Sequence, residues 1–107
     1  MIYVISAANT EYVKVGLAKN PISRMRLLQT GIPWKLVLLA SADWHDSEER
    51  RIHRLLGAYW VRGEWFLANP SIDSLIKHML TGADSPKAWI ESLNKPKRLA
   101  KVLTMAR

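Results

Sequence analysis

The chain has 107 residues, a formal net charge of +7 and a hydrophobic fraction of 49%. This length supports one domain with a modest core rather than two domains. The chain contains no cysteine, which excludes disulfides and thiolate metal sites. No N-terminal signal is visible and the most apolar run, residues 36–40, is too short to cross a membrane, so we expect a soluble cytoplasmic protein.

The positive charge is concentrated towards the C-terminal end. Residues 86–107 contain six basic residues and one acidic residue, a net +5 that leaves +2 of the total +7 for the rest. Such an extension favours a polyanionic partner, and its few large apolar residues favour nucleic acid over membrane. A solvated basic helix without a partner is the alternative. We therefore divide the chain into a domain over residues 1–80 and a basic helical extension over residues 81–107.

The first half of the chain predicts a hairpin, a helix and a strand. Residues 2–5 and 13–16 are rich in β-branched side chains and predict a hairpin in which Tyr3 and Lys14 face each other. Asn20 followed by Pro21 predicts a capped helix that runs to about Gln29. Its apolar stripe consists of Ile22, Met25 and Leu28. Residues 34–44 then read as a buried strand.

The second half predicts helices separated by one short extended segment. A helix capped by Asp46 runs to about Tyr59, and its apolar residues Ile52, Leu55, Leu56 and Tyr59 should face the sheet. Residues 64–67 form a short extended segment, taken as an edge strand. Asn69 and Pro70 start a third helix that ends near Leu80, and residues 85–93 and those after Lys95 form further helical pieces. The prediction is an α+β fold with a small three-stranded, mixed or antiparallel sheet, flanking helices and C-terminal helices.

Five segments, in this order and spacing, resemble the GIY-YIG nuclease superfamily, and more closely a compact phage- and plasmid-associated branch of it. The segments are the strand at residues 2–5, Lys14-Val15-Gly16, Arg24, Glu49-Arg50-Arg51-Ile52-His53 and Gly63-Glu64-Trp65-Phe66. The resemblance covers roughly residues 1–67. Met1 stands where the superfamily has the glycine of its first motif, and Lys14 stands where most members have a second tyrosine.

The resemblance implies an endonuclease that hydrolyses DNA phosphodiester bonds with one divalent ion, Mg²⁺ or Mn²⁺. Glu49 would hold the ion and Arg24 would clamp a phosphate oxygen. Tyr3 would orient or deprotonate the attacking water, and Lys14 would lower the pKa of Tyr3 by favouring the phenolate. His53 would contact the substrate or move a proton. Further nucleic-acid contacts are expected from Arg26, Lys95, Lys97, Arg98 and Lys101.

Each candidate also has a structural interpretation. Glu49 could complete a capping box with Asp46, and its choice over Glu48 rests on the family spacing alone. Arg24 could be a surface arginine and His53 a half-buried structural histidine. Trp65 and Phe66 are favoured as core or hairpin-covering residues over a base-stacking platform. A zinc site formed by His45, Glu49 and His53 is disfavoured, because one helix face rarely completes a tetrahedral site.

Two alternative functions remain open at the level of sequence. The first is a nucleic-acid-binding module that shares the fold but no longer cuts. The second is a protein-interaction module, such as a phage-encoded inhibitor, whose basic extension binds an acidic partner. The absence of the first-motif glycine and of the second tyrosine favours these alternatives. The presence of Tyr3, Arg24 and Glu49 together favours the enzyme.

Overall fold

The computed structural model describes residues 1–93, and it combines one antiparallel sheet with helices on both faces. The strands are β1 (Ile2–Ala7), β2 (Tyr12–Leu17), β3 (Leu36–Ala42), β4 (Trp60–Arg62) and β5 (Trp65–Leu67). The helices are α1 (Pro21–Gln29), α2 (Ser47–Leu55), α3 (Pro70–Leu80) and α4 (Lys87–Ser92), with a 3₁₀ turn at Gly57–Tyr59. The predicted α+β class is confirmed.

The predicted number of strands was wrong, since the sheet has five strands in the order β3-β1-β2-β5-β4. The additional strands, β4 and β5, have three residues each, which is too short for a period-2 pattern to stand out. They form a hairpin whose turn contains Gly63 at a φ of 54°. The expectation that residues 64–67 form an edge was also wrong, because β5 lies between β2 and β4.

The two faces of the sheet bury different sets of side chains. One face, which carries Ile2, Val4 and the valines of β2, packs against α2, α3 and α4 in the main core. The other face carries Tyr3 and Ile5 and packs against Met25 and Leu28 of α1 in a smaller cluster. Ile22, predicted to belong to the stripe of α1, is exposed. The separation follows from the alternation of side chains along each strand.

Asparagine caps fix the starts of α1 and α3 as predicted. The Oδ1 atom of Asn20 accepts the N–H of Ser23 at 3.1 Å, and that of Asn69 accepts the N–H of Ile72 at 3.1 Å. Both helices also end where the sequence indicated, at Gln29 and Leu80.

The second helix departs from its prediction at both ends. Asp46 makes no capping hydrogen bond through its side chain, and the α-helix stops at Leu55 before the 3₁₀ turn. Ile52 and Leu56 are buried as expected, whereas Leu55 remains 43% exposed. The early stop lies just before Gly57, the residue with the poorest helix propensity in this segment.

Residues 81–93 pack against the preceding domain. The side chain of Trp89 is fully buried in the main core, and its indole N–H donates to the Ser71 carbonyl at 2.9 Å. The indole N–H of Trp44 donates to the Ala83 carbonyl at 2.6 Å. These contacts attach α4 to the domain. The proposed boundary between a domain over residues 1–80 and an extension over residues 81–107 stays a prediction. The predicted helix after Lys95 lies outside the described residues, and within residues 1–93 no helix has the length and apolar character of a membrane span.

Candidate active site

The site is built around Gly16 of β2, whose lack of a side chain leaves space above the strand. Tyr3 lies opposite Gly16 in the β1–β2 pair, on the same face as Lys14. A Cβ atom placed on Gly16 would lie 2.5 Å from the Tyr3 hydroxyl oxygen and 2.8 Å from Oε1 of Glu64. The hydroxyl and the carboxylate therefore occupy the space that a side chain at Gly16 would fill, so glycine is required here for space.

Lys14 is held by Glu64 and by an aromatic ring. Its Nζ atom lies 2.9 Å from Oε1 of Glu64 and 5.6 Å from the centre of the Trp65 ring. Lys14 is only 8% exposed, so this ion pair is shielded more than an ordinary surface pair. The same Glu64 oxygen thus adjoins both the ammonium and the space above Gly16.

Helix α2 reaches the site at an open stretch of the β2 edge. Pairing between β2 and β5 ends at Lys14, beyond which only the Val15 N–H still bonds to the segment before β5 and the Val15 carbonyl is open to another element. The Nε2–H of His53 donates to the Val15 carbonyl at 2.7 Å, and the Val15 N–H donates to the Glu64 carbonyl at 3.0 Å. His53 thereby fixes α2, and Glu49, one turn earlier, comes close to Glu64.

Glu49 has an oxygen without a partner. Its Oε2 atom is buried and receives no hydrogen bond. The pKa of Glu49 is raised because burial disfavours the carboxylate and because Glu64 adds negative charge and can share a proton with it. His53 and Lys14 oppose this rise through their positive charge.

The pKa of Tyr3 is also raised, contrary to the effect predicted for Lys14. Burial of the phenol is the main cause, followed by the negative charge of Glu64. Arg24, through a polar contact and its charge, favours the phenolate but does not outweigh these effects. Lys14 is not among the causes of this shift and pairs with Glu64 instead, so the tuning of Tyr3 by Lys14 stays a prediction.

A comparison with known protein families accords with this geometry. A family model described as the T5orf172 domain matches residues 1–81. The chain belongs to the T5orf172 domain family. This is a phage-associated domain related to nuclease folds of the GIY-YIG and HNH-like kind, while the finer assignment to GIY-YIG stays a prediction. No curated protein and no solved structure matches the chain.

The T5orf172 domain of this protein brings the five predicted catalytic residues to one site, where Glu64 joins them. The five are Tyr3, Lys14, Arg24, Glu49 and His53. Arg26 is exposed two residues after Arg24 and therefore points to a different side of α1. Lys95, Lys97, Arg98 and Lys101 lie outside the described residues.

Glu64 was not among the predicted catalytic residues, although it belongs to the Gly63-Glu64-Trp65-Phe66 segment. A glutamate beside two aromatic residues at a turn carries no local signal of function. The sequence feature that could have revealed Glu64 was Lys14, because a lysine buried in a strand requires a negative charge nearby. Only the pairing of β5 with β2 shows that Glu64 supplies that charge.

The structure does not contain the capping box proposed for Glu49, and it separates Glu49 from Glu48. No capping hydrogen bond is made by Asp46, and Oε2 of Glu49 is unpartnered, so a capping box does not account for this carboxylate. Glu48 instead lies 3.7 Å from Arg51 on the helix surface. Within residues 1–93 no group of three or more His, Cys, Asp or Glu side chains could hold a metal, so the zinc alternative fails.

The oxygen donors of the site suit a hard divalent ion. Mg²⁺ is bound in many phosphoryl-transfer sites by one or two carboxylates, with waters and substrate phosphates as its other ligands. Glu49 offers a buried, unpartnered oxygen for this purpose, and Glu64 stands beside it. The residues present therefore fit the Mg²⁺ or Mn²⁺ that the sequence led us to expect.

Replacing Gly16 with alanine tests the crowding over β2. The Tyr3 ring is 1% exposed and cannot swing away, so the added methyl should destabilise the fold by about 1–3 kcal/mol. Gly31→Ala is the matched control, because a Cβ atom added at Gly31 would meet nothing within 4 Å beyond its chain neighbours. Urea unfolding measures both variants. Equal stability of the two would show that Tyr3 and Glu64 do not meet above Gly16.

Replacing Glu49 with glutamine tests the raised pKa. The folded protein binds this proton more tightly than the unfolded chain, so stability falls as pH rises from the ordinary value of 4.5 through the folded-state pKa. In chelator at pH 7, Glu49→Gln should therefore melt at a higher temperature than the wild type. The difference should vanish well below pH 4.5, where both states are protonated.

Glu48→Gln is the control for this pH effect, since it removes a neighbouring charge that pairs with Arg51 at the helix surface. It should give no comparable gain at pH 7. A Glu49→Gln variant that is less stable than the wild type at pH 7, or a gain that persists unchanged at low pH, would contradict the assignment.

Proposed function

We propose that this T5orf172 domain is a metal-dependent endonuclease of GIY-YIG type that hydrolyses phosphodiester bonds, with DNA as its substrate. The observation that carries the proposal is the buried, unpartnered oxygen of Glu49 beside the Tyr3–Lys14–Glu64 cluster. A fold gains nothing from an unsatisfied carboxylate oxygen, because burying it costs free energy. Its retention beside basic groups is understandable where a cation and a phosphate bind.

Hydrolysis needs a placed water, charge stabilisation on the phosphoryl oxygens and help for the leaving oxygen. A divalent ion held by Glu49 would act as the Lewis acid for the phosphate. Arg24 is exposed beside the phenol and can bind a phosphate oxygen. The raised pKa of Tyr3 keeps its hydroxyl protonated at neutral pH, which suits it to orient the water.

Glu64 is our candidate for the proton acceptor. As the water oxygen bonds to phosphorus and the phosphorus–oxygen bond to the leaving group breaks, the proton of the water passes to Oε1 of Glu64 and the leaving oxygen takes a proton from solvent, which yields a free hydroxyl and a phosphomonoester. That oxygen lies at the space shared with the Tyr3 hydroxyl. Lys14, 2.9 Å away, holds the carboxylate in place, a positioning role that replaces the tuning expected from sequence.

The basic extension would add affinity without specificity. Residues 94–107 contain five basic residues and no acidic residue. Lys95, Lys97, Arg98 and Lys101 can therefore supply phosphate contacts that do not depend on sequence and that weaken with salt. Exposed Arg26 can contribute in the same way from α1.

A nucleic-acid-binding domain that does not cut is the second candidate. It is favoured by the Lys14–Glu64 ion pair, which engages the lysine that replaces the second family tyrosine. This candidate requires binding that is independent of Glu49 and of metal.

Cleavage of supercoiled plasmid with Mg²⁺, Mn²⁺ or chelator separates the two candidates. Wild type should nick only with metal, and Glu49→Gln should lose at least about 100-fold in rate because the metal ligand is gone. Glu48→Gln, the matched control on the same helix, should cut like wild type. In chelator, DNA binding measured by fluorescence anisotropy should be equal in all three proteins.

The enzyme proposal fails if wild type and Glu49→Gln give the same background with and without metal. Metal-independent binding in that same protein would then establish the second candidate. Equal losses in Glu48→Gln and Glu49→Gln would assign the effect to helix charge rather than to a metal ligand.

A further inference from the structure

An aromatic pocket opens on the same face of the sheet as Tyr3. Its volume is about 420 Å³, within the range of small-molecule sites. Tyr12, Trp34 and Trp65 line it together with Arg62, and none of its lining residues within the described chain is acidic. Flat aromatic walls with a single cation at hand are the chemistry that recognises a nucleobase and its adjoining phosphate.

The pocket adjoins the candidate active site through Trp65. This ring lines the pocket and also lies 5.6 Å from Nζ of Lys14. Lys14 in turn binds Glu64 beside the Tyr3 hydroxyl. A nucleic acid whose phosphate enters the active site therefore has the pocket beside it.

The wall that carries Trp34 is fixed before any ligand arrives. The Gln29 side-chain amide donates to the carbonyls of Ile32 and Trp34 at 3.2 and 2.8 Å, and its Oε1 accepts the N–H of Leu36 at 2.7 Å. These bonds hold the backbone of the loop, while Trp34 itself is 50% exposed. An exposed indole on a fixed backbone loses little freedom on binding.

We propose that this pocket binds an unpaired nucleobase of the nucleic acid that the active site cuts, an inference that rests on the proposed function. The base stacks on the aromatic walls, and Arg62 pairs with a neighbouring phosphate. Bases in an intact duplex have their faces covered by stacking, so the pocket selects single-stranded or flipped-out nucleotides. The substrate class is therefore nucleic acid with an unpaired base beside the scissile phosphate.

The test is binding of a fluorescein-labelled single-stranded oligonucleotide and its matched duplex, in chelator so that nothing is cut. Trp34→Ala should weaken single-strand binding by about tenfold with an unchanged salt slope, and Trp34→Phe should retain most of it. Arg62→Gln should instead reduce the salt slope by about 0.7. Duplex binding should be weaker in the wild type and insensitive to Trp34.

Trp60→Ala is the matched control. Trp60 is 58% exposed, lies outside the pocket lining and donates its indole N–H to the Gly63 carbonyl at 2.8 Å. It should bind the single strand like wild type, and thermal melting establishes that every variant is folded. The proposal is overturned if Trp34→Ala binds normally, as it would were the pocket a site for an apolar protein partner. Equal losses in Trp34→Ala and Trp60→Ala, or a wild type that prefers duplex or binds neither oligonucleotide, overturn it too.

Failure of the pocket and failure of the proposed function are separable. If the wild type never cuts but binds single strands through Trp34, the enzyme proposal fails and the pocket proposal stands. If the wild type cuts with metal and Trp34→Ala binds single strands like the wild type, the pocket proposal fails and the enzyme proposal stands.

Discussion

The open edge of β2 at Val15 is the constraint on which the site depends. The Val15 N–H donates to the carbonyl of Glu64, the residue just before β5, and the Val15 carbonyl, left free where the β2–β5 pairing ends, accepts from the His53 ring. Those two bonds bring the β4–β5 hairpin and α2 to the same place. Had the pairing with β2 continued fully through Glu64, the hairpin backbone would also have used the Val15 carbonyl and left His53 of α2 without this acceptor.

The missing side chain at Gly16 completes that arrangement. It gives the Tyr3 hydroxyl and the Glu64 carboxylate a common space directly above the strand. Two carboxylates and a buried phenol then lie close together near Lys14, and the pKa values of Glu49 and Tyr3 rise, first because of burial and then because of the negative charge of Glu64. Under the proposed function, a cation bound by Glu49 would recover the free energy lost to this crowding, so that stability of the metal-free protein and function would be opposed at Glu49.

The sequence predicted those parts of the fold that have strong local chemistry. Asn20-Pro21 and Asn69-Pro70 mark helix starts by capping and by the fixed φ of proline, and both were confirmed. The strand β4 escaped prediction because three residues hold too little pattern, and the extended segment that became β5 was predicted without its place inside the sheet. The exposure of Leu55 depends on where α2 ends, which helical periodicity alone does not tell.

Family spacing predicted five members of the site but neither Glu64 nor the electrostatics. Family spacing indicated Tyr3, Lys14, Arg24, Glu49 and His53, and these residues lie together. The ion pair of Lys14 was not foreseen because its counter-ion, Glu64, comes from a segment 50 residues away in sequence. Contacts between distant segments set burial and charge, and through them the pKa of Tyr3 and Glu49.

The central claim is that Oε2 of Glu49 is a metal ligand kept free by the fold. Anomalous diffraction from crystals soaked in Mn²⁺ tests it most directly, because it locates the ion without relying on activity. The account predicts one Mn²⁺ peak within about 2.2 Å of that oxygen in wild type and no peak there in Glu49→Gln crystals. A wild-type map without the peak, with Oε2 of Glu49 bonded to a backbone N–H, would contradict it.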